Sequence, residues 1–98
     1  MICVVVGKLK KPYEVTDERG RTKSGISCRL SLSVAPYEND PSNGVFGEGE
    51  QFVEYRCPEN IVDAVDLGNT LSVELDDKKT RIKSAMIKVG ENSFMPID

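Results

Sequence analysis

The chain has 98 residues, which bounds it to a single domain, residues 1–98. Apolar residues make up 39% and charged residues 30%, the balance of a folded globular domain rather than a disordered one. The net charge of −3 gives no overall attraction to a polyanion, and the absence of histidine removes the commonest general base and metal ligand.

Ile2-Cys3-Val4-Val5-Val6 is a β-branched run and reads as a buried strand. Gly7 inside that pattern predicts a bulge or bend, and Lys8 to Val15 carries the strand on, with Pro12 confining it to an edge. Thr16 to Gly20 is a polar turn. Ile26, Cys28, Leu30, Leu32 and Val34 then alternate with Ser27, Arg29, Ser31 and Ser33, a half-buried strand with one wet face. Tyr37 to Glu50, rich in glycine and carboxylates, reads as a long mobile acidic loop, 39–50 at its centre. Phe52 to Cys57 is a strand, with Val53, Tyr55 and Cys57 on one face and Phe52, Glu54 and Arg56 on the other. Pro58-Glu59-Asn60 opens a short helix over 61–65, and Gly68 stops it. Leu71 to Leu75 alternates, Asp76-Asp77-Lys78-Lys79 turns, and Arg81 to Val89 is the last long strand, with a phase shift near Ala85. Phe94 to Asp98 is a short tail in which Phe94 is expected to act as a core lid. Five strands with a short helix between the third and fourth are the order of an all-β OB-fold barrel.

No run of about 18 apolar residues is present, and Ile2 to Val6 is too short for a signal peptide, so a cytoplasmic protein is expected. Cys3, Cys28 and Cys57 are odd in number and lack metal or redox spacing; they read as small buried hydrophobes in a reducing compartment. The charges are segregated. Residues 1–30 hold seven basic and three acidic side chains, 31–77 one basic and eleven acidic, and 78–98 five basic and two acidic. Basic ends that meet in space would make one basic face on an acidic body.

The run Val4-Val5-Val6-Gly7-Lys8-Leu9-Lys10-Lys11-Pro12-Tyr13-Glu14-Val15, then Gly20 and the alternating strand to Val34, resembles the opening of bacterial single-stranded DNA-binding proteins. Gln51 to Arg56 sits where that family has an aromatic third strand, and Leu67 to Glu74 is similar to its Gly-x-x-Val-x-Val-Glu fourth strand. The resemblance covers about residues 2–75. The chain departs from the family in having no tryptophan, a short helix and no Gly/Pro-rich linker with an acidic tip, and in this it is similar to compact binding proteins of phages, plasmids and conjugative elements. The resemblance implies sequence-independent binding of single-stranded DNA during replication or transfer of such an element. It also implies a homo-oligomer, dimer or tetramer, with no cofactor, no small-molecule substrate and no membrane partner.

Single-strand binding needs cations along the phosphates and flat side chains under the bases. The cation candidates are Lys8, Lys10, Lys11, Arg19, Arg21, Lys23, Arg29, Arg56, Arg81 and Lys83, with Lys79 beside them. The stacking candidates are Tyr13, Tyr37, Phe46, Phe52 and Tyr55; Phe52 lies between charges on a wet face and Tyr13 beside Lys10 and Lys11, Tyr55 reads rather as core, and Phe46 in the acidic loop is open between stacking, a subunit contact and plain surface. Asp40, Glu48 and Glu50 would repel phosphate in the groove and are expected to lie away from it. No nucleophile–base pair or phosphate-binding glycine loop is recognisable, so the chain is not read as an enzyme. Asp63 with Asp66 and Asp76 with Asp77 read as solvated acids rather than metal ligands. Two other readings are an RNA-binding accessory module and a protein–protein OB module whose basic face is incidental.

Overall fold

The computed structural model describes residues 1–97. The β-branched start and the alternating strand become β1 (Ile2–Thr16) and β2 (Thr22–Pro36), which pair antiparallel along their whole length. After β2 come β3 (Glu50–Arg56), a six-residue helix α1 (Glu59–Ala64), β4 (Thr70–Leu75), β5 (Ile82–Lys88) and β6 (Phe94–Pro96). The six strands form one antiparallel sheet in the order β3-β2-β1-β4-β5-β6. The expected five-stranded barrel is therefore an open six-stranded sheet. β3 and β5 meet at a single parallel bridge, Arg56 with Arg81, and the tail adds a strand by pairing Phe94, Met95 and Pro96 with Lys88, Ile87 and Met86. Three residues with a proline are too short to show alternation, so this strand is silent in the sequence. No helix among the described residues is long and apolar enough to cross a membrane.

The core lies on one side of the sheet. Cys3 and Val5 of β1, Leu30 and Leu32 of β2, Leu71 and Val73 of β4 and Ile82 and Ala85 of β5 are buried together, with Ile61, Val62 and Val65 closing over them. A helix of six residues does not stand alone in water; α1 holds because its apolar side packs here and because β1 reaches up to it. Lys8 Nζ donates to the Val65 carbonyl at 2.8 Å, satisfying a free carbonyl at the helix end, and Lys10 Nζ lies 2.8 Å from Asp63 and 3.6 Å from Glu59.

Three irregularities set the strand phases. Val5 pairs with Leu32 and Gly7 with Ser31, so Val6 is an extra residue. A Cβ on Gly7 would lie 3.3 Å from the Ser31 Cβ, which explains the small residue. Val34 bulges from β2, and Lys83 bulges from β5, two residues before the predicted shift at Ala85. Phe94 is half-exposed outside the core; Ile97, whose amide donates to Ala85, takes the lid position instead.

β4 pairs only with Ile2–Val4 of β1, and β3 only with Arg29–Pro36 of β2. The rest of the β1–β2 hairpin projects as a two-stranded ribbon. A 15-residue strand spans about 50 Å, so the hairpin accounts for most of the 60 Å long axis. The 37–49 segment is folded on itself: Tyr37 donates to Gly49, Asp40 bridges to Val45, and Pro41–Asn43 form one 3-10 turn. Asp40 accepts from Ser42 Oγ and Asn43 Nδ2, both at 2.7 Å, which holds its carboxyl below its ordinary value.

Replacing fully buried Leu30 by alanine is expected to cost about 3 kcal/mol, a transfer loss plus a cavity. The same change at Leu9, 49% exposed on the opposite face, should stay within about 0.5 kcal/mol. Urea unfolding midpoints of the two variants check this.

Candidate nucleic-acid interface

On the side of the sheet away from the core, directly paired residues of neighbouring strands share a face. Arg29 lies opposite Arg56, Ser31 opposite Glu54, and Ser33 opposite Phe52. Phe52 is 63% exposed, whereas Val53 and Tyr55 pack against the core, so the two faces of β3 are those the alternation predicts. Beyond Arg56, the parallel bridge brings in Arg81, the residue just before β5. Arg29, Arg56 and Arg81 thus form one row across three strands, an arrangement that opposes like charges and costs stability. Glu54 pairs with Arg29 at 2.9 Å. No carboxylate lies within 4.0 Å of Arg56 or Arg81 among the described residues.

Two turns carry further cations, one at the end of the ribbon and one leading into Arg81, and in each an aspartate braces the backbone. In the β1–β2 turn the Asp17 carboxylate accepts from the amides of Arg19 (2.9 Å) and Arg21 (2.8 Å), and the Asp17 amide donates to the Arg21 carbonyl. In the β4–β5 turn the Asp76 carboxylate accepts from Thr80 (3.0 Å) and Arg81 (3.3 Å), and the Asp76 amide donates to the Arg81 carbonyl. Each aspartate is spent on backbone, and Arg19, Arg21 and Lys79 have no carboxylate partner among the described residues. Gly20 takes the left-handed backbone its turn needs (φ 77°); Lys79 takes it too (φ 56°), at a steric cost.

Tyr13 lies opposite Gly25 on the ribbon, with its ring over the glycine; a Cβ there would sit 2.7 to 2.9 Å from ring atoms. The ring stays 40% exposed. Between the ribbon and the Arg56–Arg81 bridge runs an open groove of about 520 Å³, lined by Tyr13, Val15, Ile26, Ser27, Arg56 and Arg81. Cys28 and Cys57, both buried, close its floor from the core side. Burial, with the Cys28 thiol alongside, pushes the Cys57 thiol up to about 11, and Arg81 acts in the opposite direction.

Ten of the twelve residues singled out above fall on the outer face, the ribbon or the two turns. Lys11 and Lys23 lie on the ribbon opposite Ser27 and Val15, and Lys83 is the bulge residue two positions beyond Arg81. Lys8 and Lys10 do not join them. They pair with Leu30 and Cys28 on the core side of β1 and are engaged by α1, because the extra residue at Val6 reverses the phase of everything after it. The Asp63 hydrogen bond raises the Lys10 ammonium pKa further. Glu50 also departs from expectation. It sits on the outer face beside Phe52, accepting from Ser33 Oγ at 2.6 Å, whereas Asp40 turns into its own loop. Tyr37 and Phe46, the latter 83% exposed, stay on the 37–49 loop. Gly25 and Asp17 position the site without having stood out, and Asp76, read above as a solvated acid, braces its turn instead; an aspartate followed four or five residues later by an arginine across each turn is the signal that marks the two aspartates.

Lys79→Gly should relieve the left-handed strain and raise stability by about 0.5–1 kcal/mol, read by thermal unfolding. The buried thiols should react with an aromatic disulfide reagent at pH 8 only after denaturant is added. A raised thiol pKa contributes stability that is full below the ordinary value near 9 and lost as pH rises through about 11, so Cys57→Ser should flatten the alkaline limb of a stability–pH curve. Comparison with protein-family models, curated proteins and solved structures finds no match for this chain, so the reading of its surface rests on the geometry described above.

Proposed function

We propose that this chain binds single-stranded DNA without regard to sequence, through the outer face of β2 and β3 and the two turns beside it. The observation that carries the reading is the row Arg29–Arg56–Arg81, held between the exposed rings of Phe52 and Tyr13. Three guanidiniums kept together at a cost are what a chain of phosphates repays, and flat rings on the same surface stack on bases of any identity.

The chain path supports an OB-fold reading. The strand order β3-β2-β1-β4-β5, the helix between β3 and β4 and the parallel touch of β3 on β5 are those of an OB barrel left open, with β6 as an addition. In that fold the β2–β3 face and the β1–β2 and β4–β5 loops take oligonucleotides, and these are the surfaces that carry the unpaired cations here. Under this reading the chain acts in the cytoplasm, on DNA exposed during replication or transfer of a mobile element.

The test is an anisotropy titration of a labelled oligo-dT of ~30 nucleotides at several salt concentrations, with the matched duplex and oligo-U as comparisons. Binding to the DNA single strand is expected, with log affinity falling against log salt at a slope of about −2 to −4, three to six phosphate contacts. Arg56→Ala with Arg81→Ala should reduce that slope by about 1.4, and Phe52→Ala should weaken binding by about 1–3 kcal/mol with the slope unchanged. Lys10→Ala should leave the slope untouched while loosening α1. Equal affinity for the duplex sinks the proposal, and preference for oligo-U transfers it to RNA.

A further inference from the structure

The two edges of the sheet are built differently. β6 is three residues long and carries Pro96, and the projecting edge of β1 carries Pro12; short strands and prolines keep an edge from pairing with another chain. β3 has seven residues, no proline and no bulge of its own. Because the Cys57 amide donates to the Cys28 carbonyl, alternation turns the backbone groups of residues 53 and 55 toward β2 and those of Phe52 and Glu54 outward. Neither outward amide has a backbone partner among the described residues. Arg56 also faces outward and meets Arg81, so the open stretch ends at Tyr55.

We infer that β3 pairs antiparallel with β3 of a second copy of this chain, about a two-fold axis through Val53. Three registers are centred within the open residues 50–55. An axis at Phe52 sets Glu50 against Glu54 of the other copy twice, and an axis at Glu54 sets that carboxylate against itself. Like charges directly opposite are unfavourable. The axis at Val53 opposes Phe52 to Glu54, Gln51 to Tyr55 and Val53 to Val53, all within the open stretch. It is the register without opposed carboxylates, and it lets Phe52 and Glu54 exchange backbone hydrogen bonds in both directions. The contact is self-complementary, as a closed dimer requires. The pairing stands apart from what the surface binds. That it joins two outer faces into one strip, with Phe52 and Arg56 repeated across the axis, rests on the single-strand reading above.

Sedimentation velocity of the full chain should give twice the chain mass. Glu54→Pro removes an outward amide that the single subunit does not use, so it should give monomers with an unchanged far-ultraviolet spectrum, while Glu54→Ala stays dimeric. Val53→Cys should cross-link through its two introduced thiols under mild oxidation, since facing residues of a non-hydrogen-bonded pair lie about 4.5 Å apart at Cα; Phe52→Cys and Gln51→Cys should not, with peptide mapping to identify the bond. A monomeric wild type, a dimeric Glu54→Pro, or faster cross-linking at Phe52→Cys than at Val53→Cys overturns the inference. None of these readouts contains nucleic acid, so a failed titration and a failed pairing are told apart.

Discussion

One extra residue in β1 decides which side of the molecule every later side chain of that strand occupies. Val5 faces the core against Leu32, Val6 is unpaired, and Gly7 then faces outward against Ser31. Because the side-chain period of a strand is two, this slip inverts all that follows. Lys8 and Lys10 turn to the core side and clamp α1, while Leu9, Lys11 and Tyr13 turn outward. The lid over the core and the ribbon half of the candidate surface both depend on it.

The acidic side chains explain how a chain of charge −3 keeps an exposed cationic surface. Glu59 and Asp63 lie against Lys10, and Asp66 lies near Lys8. Asp17 and Asp76 take backbone amides, and Asp40 is used within its own loop. On the β2–β3 face only Glu50 and Glu54 remain, one bound to Ser33 and the other to Arg29. Net charge is a property of composition; which charges are left over is a property of pairing.

The parts legible in the sequence are those governed by local periodicity. The nine-residue alternation from Ile26 to Val34 specifies β2 and both its faces, and Phe52 outside with Tyr55 inside follows from the same rule. The bulge at Gly7 is legible as an event, but its effect on Lys8 and Lys10 is not, because their partners lie 53 to 57 residues away in and just after α1. The Tyr13–Gly25 contact and the Arg56–Arg81 bridge depend in the same way on long-range register. β6 escapes because three residues carry no period.

The projecting ribbon gives the cationic surface two mechanical grades. Arg29, Arg56 and Arg81 are carried on backbone where β2, β3 and the start of the last hairpin strand meet over a packed core. Lys11, Arg19, Arg21 and Lys23 ride on two strands whose outer edges meet no third strand, an element only marginally stable by itself. Under the proposed single-strand reading, a polyanion laid across both meets cations over a packed core and cations on an arm that yields to its path. On that reading the entropy lost in stilling the arm offsets part of its electrostatic attraction, so the cations over the core would set where the strand lies and the arm how many strand shapes are accepted.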